Sequence, residues 1–285
     1  MNYRHAFHAG NHADVLKHIV ISRIITLLTQ KDTPIAYLDT HAGIGLYDLQ
    51  ASEASRTGEW LEGIKPLFDT PNPPALITPY IDIIKALNIS NTLRYYPGSP
   101  TIAKVLMRPQ DHIILNEKHP EDSLVLKKNF KHDGNTTIHC QDGWLLPKAV
   151  LPTKEKRIVV LIDPPFEQEN ELELCVKSLT ESIKRMRQAI VIIWYPIKDQ
   201  KTLNHFYNSL KQSNAPKLLK AELMIKPTDN DLGLNGSGMI IANPPWKLES
   251  ELLSLLPFLT NVLTEDTGKW QINWLIEEVS TVTKK

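Results

Sequence analysis

Two short stretches of the chain carry residue types suited to one kind of chemistry. Ile162–Phe166 reads IDPPF and Ala242–Trp246 reads ANPPW. Each joins an acid or amide to two prolines and an aromatic ring, a device for holding an amino group. The exocyclic amine of adenine is a poor nucleophile, because its lone pair is delocalised into the ring. Acceptors that take its N–H protons pull the nitrogen toward tetrahedral geometry and free that pair. In IDPPF the Asp163 carboxylate and the Pro164 carbonyl would be those acceptors. The prolines fix the turn, so both are preorganised where charge develops. Phe166 would stack on an extruded base, which is worth about 1–3 kcal/mol.

Four acids share a placement. Asp39, Glu117, Asp142 and Asp163 each follow an apolar run: Ile35–Asp39, the IILN of DHIILNE, TTIHC, and Ile158–Ile162. A further run lies at Ala189–Trp194. Runs rich in Val and Ile on both faces predict central parallel strands. The stretches Glu169–Arg187 and Lys198–Lys211 are long enough for crossover helices. The expected fold is α/β, a doubly wound Rossmann-like sheet. LLKAELMIKP and GSGMIIANPPW, joined by a polar loop at Asp229–Gly238, predict a terminal antiparallel hairpin. In an open parallel sheet, ligands bind outside the carboxyl ends of the strands. Taken singly, each acid reads equally well as a helix N-cap or turn residue. Together on one edge they point to a site.

DTHAGIG supplies Gly43 and Gly45 beside that edge, but Asp48 stands where a dinucleotide fingerprint needs a third glycine. The pyrophosphate cradle is therefore missing. Residues 47–94 hold two helical patterns and no buried strand, and they read as a small helical insertion. With the insertion set aside, Glu117 falls at the spacing of an acid that grips ribose hydroxyls. A nucleoside without a pyrophosphate cradle indicates S-adenosylmethionine (SAM) rather than NAD. Its sulfonium methyl group calls for no metal and no protein nucleophile, and in-line positioning supplies much of the rate.

The chain has 285 residues, enough for one α/β domain with an insertion, 1–285 overall. Lys+Arg and Asp+Glu both total 32, so a nucleic-acid partner has to be held by a local basic surface and not by a global field. The candidates are Arg4, Lys127, Lys128, Lys131, Lys184, Arg185 and Arg187, each of which also reads as a solvated helix face. The two cysteines, Cys140 and Cys175, are isolated and suit a reducing cytosol. No signal-peptide core or membrane-length apolar run occurs, so a cytoplasmic protein is expected. His5, His8, His12 and His18 lack the acid–His spacing of a metal site, and no metal is expected. NHADVLKH reads as a helix start that places Lys17 and His18 in its second turn. Trp60, Trp144 and Trp194 read as core or pocket walls. A monomer is expected.

Five strings, YRHAFHAGNHADVLKH, YLDTHAG, RTGEWLEG, RYYPGSP and SGMIIANPPWKLE, resemble the RlmJ family of 23S ribosomal RNA adenine-N6 methyltransferases. The resemblance runs from Asn2 to about Glu249. It implies a cytoplasmic class I SAM-dependent methyltransferase, with a helical subdomain inserted in a Rossmann-like fold and 23S rRNA as partner. Carried over by motif, Asp163 is the catalytic acceptor. The SAM pocket is lined by His18, His41, Ser99, Glu117, Asp142, Gly143 and Asp163. Glu117 holds the ribose and Asp142 faces the cofactor's adenine. Residues 1–20 contact cofactor and RNA, with Tyr3 touching the RNA. The family commonly has Tyr where this chain has Phe166; the ring survives for stacking and activity is expected to persist.

Two other readings share parts of this pattern. A DNA adenine methyltransferase uses the same cofactor chemistry, but no DNA-reading motif is present. A non-catalytic RNA-binding protein could keep the fold, but it has no use for all four acids. Strand direction separates the two tetrapeptides. The resemblance implies that the strand Asn243 ends runs antiparallel to the rest, so ANPPW is expected at the opposite sheet edge as a structural turn, with Trp246 packed as an anchor.

Overall fold

The computed structural model describes residues 4–90, 92–226, 234–264 and 267–277. The chain opens with helix α1 (His12–Thr29), β1 (Ile35–Asp39) and the short β2 (Leu46–Asp48). Helices α2 (Ser52–Thr57), α3 (Ile64–Asp69) and α4 (Thr78–Leu87) follow, then β3 (Tyr95–Pro97) and α5 (Ser99–Leu106). The alternation resumes with β4 (His112–Asn116), α6 (Pro120–Asn129), β5 (Thr136–His139), α7 (Leu146–Val150) and β6 (Arg157–Ile162). It continues through α8 (Glu171–Arg185), β7 (Ile190–Ile197), α9 (Gln200–Lys211), β8 (Leu218–Met224) and β9 (Gly236–Ala242). Helix α10 (Leu248–Thr264) and β10 (Lys269–Ile276) complete the described elements.

Among the described residues, eight strands form one sheet in the order β10-β8-β9-β7-β6-β1-β4-β5. Strands β7, β6, β1, β4 and β5 pair in parallel. Strand β1 lies between β4 and β6, so the chain winds outward from β1 in one direction and then crosses to its other side. That reversal opens a crevice at the carboxyl ends of β1, β4 and β6. Alternate residues serve opposite layers. Tyr37, Val159 and Leu161 join α1, α10 and the inserted helices in one core; Ala36, Leu38, Val160 and Ile162 face α8 and α9 in the other.

Helix α1 is buried on every side: Val15, Leu16, Ile19, Val20, Ile21, Ile24 and Ile25 are fully enclosed. It packs against the sheet at β9 and against α4, α5 and α10. A helix apolar all round belongs in an interior. Its polar first turns, capped by Asn11 accepting from the Asp14 amide at 2.9 Å, are thereby delivered to the crevice.

The inserted helices are closed at their base by a ribbon in which β2 and β3 pair antiparallel, Tyr47 opposite Tyr96. This ribbon brackets the stretch in which the sequence shows only helical pattern. The antiparallel β8–β9 hairpin is present, but the sheet does not end there. Strand β10 pairs antiparallel along the outer side of β8. Its Ile272 and Trp274 pack against the α10 side of the sheet, while Gln271 and Asn273 interrupt the apolar run, which hides the strand in the sequence.

ANPPW lies at the opposite edge from IDPPF, as strand direction requires. Ala242 is paired with Val191 near the start of β7. The Asn243 amide donates to the Arg187 and Ala189 carbonyls, both at 2.9 Å. The expectation for Trp246 is corrected: the residue is 84% exposed. Leu248, fully buried at the start of α10, is the anchor instead, and Trp246 swings outward with the Lys247 ammonium over its ring.

Candidate active site

Each strand-end acid is fixed by its own local donors. Asp39 is fully buried and sits behind the crevice. Its carboxyl accepts from Ser99 Oγ at 2.6 Å, from the Tyr37 hydroxyl at 3.2 Å and from the His41 amide at 3.2 Å. Burial, opposed by the Ser99 hydrogen bond and reinforced by the charge of Asp163, pushes its pKa up to about 7. Glu117 accepts from the Gly43 amide at 2.9 Å and the His119 amide at 2.8 Å. Burial raises its pKa above the usual carboxylate range. Asp142 accepts from the Trp144 amide at 3.0 Å and from Lys118 Nζ at 2.9 Å. Burial pushes its pKa up, but the Lys118 and Trp144 hydrogen bonds and the Lys118 charge together outweigh this and the net shift is downward.

Two glycines give the crevice its closeness. A Cβ on Gly43, whose φ is +60°, would fall 2.2 Å from the Tyr47 hydroxyl. A Cβ on Gly143 would fall 2.4 Å from the Thr40 carbonyl and 2.9 Å from the His41 ring. His41 and His18 are kept neutral by burial, which pushes their pKa values down to about 4 and about 3. The His41 ring nitrogen meets Thr40 Oγ1 at 2.8 Å and its ring edge meets Trp144. His18 Nδ1 meets the Tyr96 hydroxyl at 2.7 Å, which in turn meets the Tyr80 hydroxyl at 2.9 Å.

Asp163 belongs to a buried charge relay. Its Oδ2 accepts from Lys17 Nζ at 2.6 Å, and the same ammonium lies 2.8 Å from Asp14 Oδ1. Asp14 Oδ2 accepts from the Gly10 amide at 2.8 Å and meets the His5 ring at 2.9 Å. Desolvation would raise the Asp14 pKa, but the charges of His5 and Lys17 lead the effects that outweigh it and hold it well below the usual range. Desolvation likewise opposes charge on Lys17, and the two carboxylates overcome it and raise its pKa. Phe166 has φ +53°, a conformation uncommon for a bulky residue, and its ring meets Trp194 edge-on at 5.4 Å. The DPPF turn is thus bent sharply, with its ring facing a second aromatic wall.

These groups line one cavity of about 1060 Å³. Asp163, Pro164, Phe166, His18, His41, Ser99, Glu117, Asp142 and Gly143 all face it. Tyr3 lies outside the described residues. Asn243 and Trp246 are remote from it. Among the described residues, no group of His, Cys, Asp or Glu has the arrangement of a metal site, and no helix is long and apolar enough to cross a membrane.

Residues 32–276 match the model of the family described as ribosomal RNA large subunit methyltransferase D, RlmJ. The chain belongs to this family. It is 44% identical over 280 residues to ribosomal RNA large subunit methyltransferase J of Haemophilus influenzae, covering 98% of this chain and 100% of that one. It is 42% identical over 279 residues to the Escherichia coli protein of the same name, with the same coverage. A crystal structure of a Legionella pneumophila protein superposes with a TM-score of 0.87 at 34% identity, covering 93% of this chain and 98% of that one.

Within this RlmJ-family fold, three site members were missed as such by sequence reasoning. The sequence puts Lys17 in the second turn of a helix but shows no partner for it, gives Asp14 no distinction, and leaves Trp194 equally a core residue or a pocket wall. The D-x-x-K spacing at the start of α1 is the one available signal, since it puts both groups on one helix face.

Proposed function

We propose that this chain transfers a methyl group from SAM to the exocyclic N6 amine of an adenine in 23S rRNA. The observation that carries this reading is the shared cavity: the Asp163–Phe166 turn and the Glu117–Gly143 crevice open into the same space. The residues fit SAM. Gly43 and Gly143 let the crevice loops pack against Tyr47, Thr40 and His41 more closely than any Cβ would allow, and Glu117 is held by two backbone amides so that its carboxyl can meet a ribose diol. His18 and His41, both neutral, add polar walls without repelling a sulfonium cation. SAM, when bound, supplies the electrophilic methyl group.

The chain's own residues then act on the amine. Lys17 occupies Asp163 Oδ2 and locks the carboxylate, leaving Oδ1 to accept one amine proton. The Pro164 carbonyl accepts the other. Both acceptors strengthen as positive charge develops on N6, so they stabilise the transition state more than the ground state. Phe166 stacks on the extruded base with Trp194 behind it. With the amine lone pair freed to accept the methyl group that SAM would release, Asp163 would pass the surplus N6 proton to water. On this reading residues 1–285 are one methyltransferase domain of a cytoplasmic monomer, with 47–94 its inserted helical subdomain and 1–20 its cofactor- and RNA-contacting segment.

The test offers radiolabelled SAM with protein-free 23S rRNA and, separately, with duplex DNA, followed by nucleoside analysis. N6-methyladenosine in a single rRNA position is expected. Label in DNA alone points to a DNA methyltransferase; no label together with no calorimetric SAM binding points to a non-catalytic RNA-binding protein.

A further inference from the structure

Among the described residues, five Lys or Arg side chains line the cavity: Arg4, Lys17, Lys118, Lys198 and Lys226. Three are committed to acids. Arg4 binds Asp122, Lys17 binds Asp14 and Asp163, and Lys118 binds Asp142. Lys198 and Lys226 are exposed and have no ion-pair partner among the described residues. Lys198 follows β7, the strand that carries Trp194, and Lys226 follows β8.

Asn235, fully buried at the entry to β9, ties these two exits together. Its amide donates to the Ile197 carbonyl at 3.0 Å and its side-chain amide donates to the Lys198 carbonyl at 3.2 Å. Its own carbonyl accepts from the Ile225 and Lys226 amides at 2.9 and 3.1 Å. A single buried residue therefore sets the backbone of both lysines side by side, with Lys198 following the strand that carries Trp194 into the same cavity. Glu59, Glu62, Glu167 and Glu171 also line the cavity, so cations not committed to acids are what would draw a polyanion to it.

A base drawn in between Phe166 and Asp163 must bring its two phosphodiesters to the mouth. We infer that Lys198 and Lys226 grip the RNA phosphates flanking the extruded adenosine, and that Asn235 sets their spacing. The inference rests on the proposed rRNA methylation. Such contacts position the strand and carry no sequence information.

The test compares the wild-type chain with the K198A/K226A double variant and with K198R/K226R, using a full-length 23S rRNA transcript and labelled SAM. In the alanine variant the KM for the transcript is expected to rise about tenfold, with kcat within about twofold. The slope of log binding constant against log salt should shallow by about 1 per lysine removed. SAM affinity by calorimetry should be unchanged, and the arginine variant should keep wild-type KM. An unchanged KM and salt slope in K198A/K226A, while the wild type methylates the transcript, overturns this inference alone. A wild type that neither binds nor methylates the transcript overturns it together with the proposed function.

Discussion

Lys17 is the residue on which the site's electrostatics turn. One ammonium, almost fully enclosed, neutralises two carboxylates that belong to different elements, Asp14 on α1 and Asp163 after β6. Breaking a buried pair from one side leaves charge without compensation and costs about 3–5 kcal/mol. Lys17→Met is therefore expected to lower the urea midpoint by a large margin and to abolish methyl transfer. A midpoint unchanged from wild type would show that the two acids do not depend on it. Asp163→Ala is the milder change for folding, because Asp14 still pairs with Lys17. It should reduce kcat by at least about 100-fold, as loss of a transition-state acceptor does, while SAM binding by calorimetry stays near wild type. Substantial remaining turnover would refute the acceptor role. Asp39 gives a third expectation. Its folded pKa of about 7 lies above its unfolded value, so the folded state binds the extra proton between about pH 4 and 7. Its stabilising contribution is complete below that window and is lost as pH rises through it, on the order of a few kcal/mol. Asp39→Asn should flatten the fall of thermal midpoint with pH between 4 and 7; an identical slope in both proteins would count against the buried acid as its source. The acids were legible in the sequence because each ends an apolar run. The Lys17–Asp163 pair was not, because its members stand 146 residues apart and only the crossing of α1 over the sheet brings them together.

At the scale of elements, direction decides what a motif does. IDPPF and ANPPW place similar residues after strands, and both turns hold a residue at positive φ, Phe166 at +53° and Asn243 at +50°. One strand is parallel and opens on the crevice; the other is antiparallel and closes the far edge. There Asn243 binds two carbonyls of the chain itself, which is what an amide in such a turn does when no ligand is near. Asn243→Ala should cost about 1–3 kcal/mol in urea unfolding, the loss of two hydrogen bonds at about 0.5–1.5 kcal/mol each. Trp246→Ala, removing an exposed ring, should stay within about 0.5 kcal/mol of wild type. A larger loss at Trp246 than at Asn243 would reverse this account of the turn. The parallel strands were legible since they are apolar on both faces. Trp246 was misplaced because sequence shows that a tryptophan follows two prolines but not which side of the turn it leaves by. Strand β10 was missed because polar residues alternate into it, as suits an edge strand with one side still in water.

For the whole molecule, the insertion raises the question of independence. Residues 47–94 form a separate stretch of helices by sequence, yet their apolar side chains do not make a separate core. Ile64, Leu67, Tyr80, Ile81 and Ile84 belong to the same buried cluster as Leu16, Ile19 and Ile24 of α1, Tyr37 of β1 and Leu252 of α10. The Tyr80–Tyr96–His18 hydrogen-bond chain runs from the insertion through the ribbon to the cavity wall. Helix α1 cannot keep its outer face dry without the inserted helices, and they bury their own apolar side chains against α1, α5 and α10. Both units should therefore unfold together. Calorimetry is expected to give one transition with equal calorimetric and van 't Hoff enthalpies; two resolved transitions would show the insertion to be a domain of its own. SAM at about 100 times its dissociation constant should move that single transition upward by the equivalent of about 2.7 kcal/mol. Because His18 and the inserted Tyr80 are linked through Tyr96, the shift should appear equally when unfolding is followed by a probe in the insertion, such as Trp60 fluorescence, and by far-ultraviolet circular dichroism of the whole chain. A shift confined to one probe would break the coupling that the shared core requires.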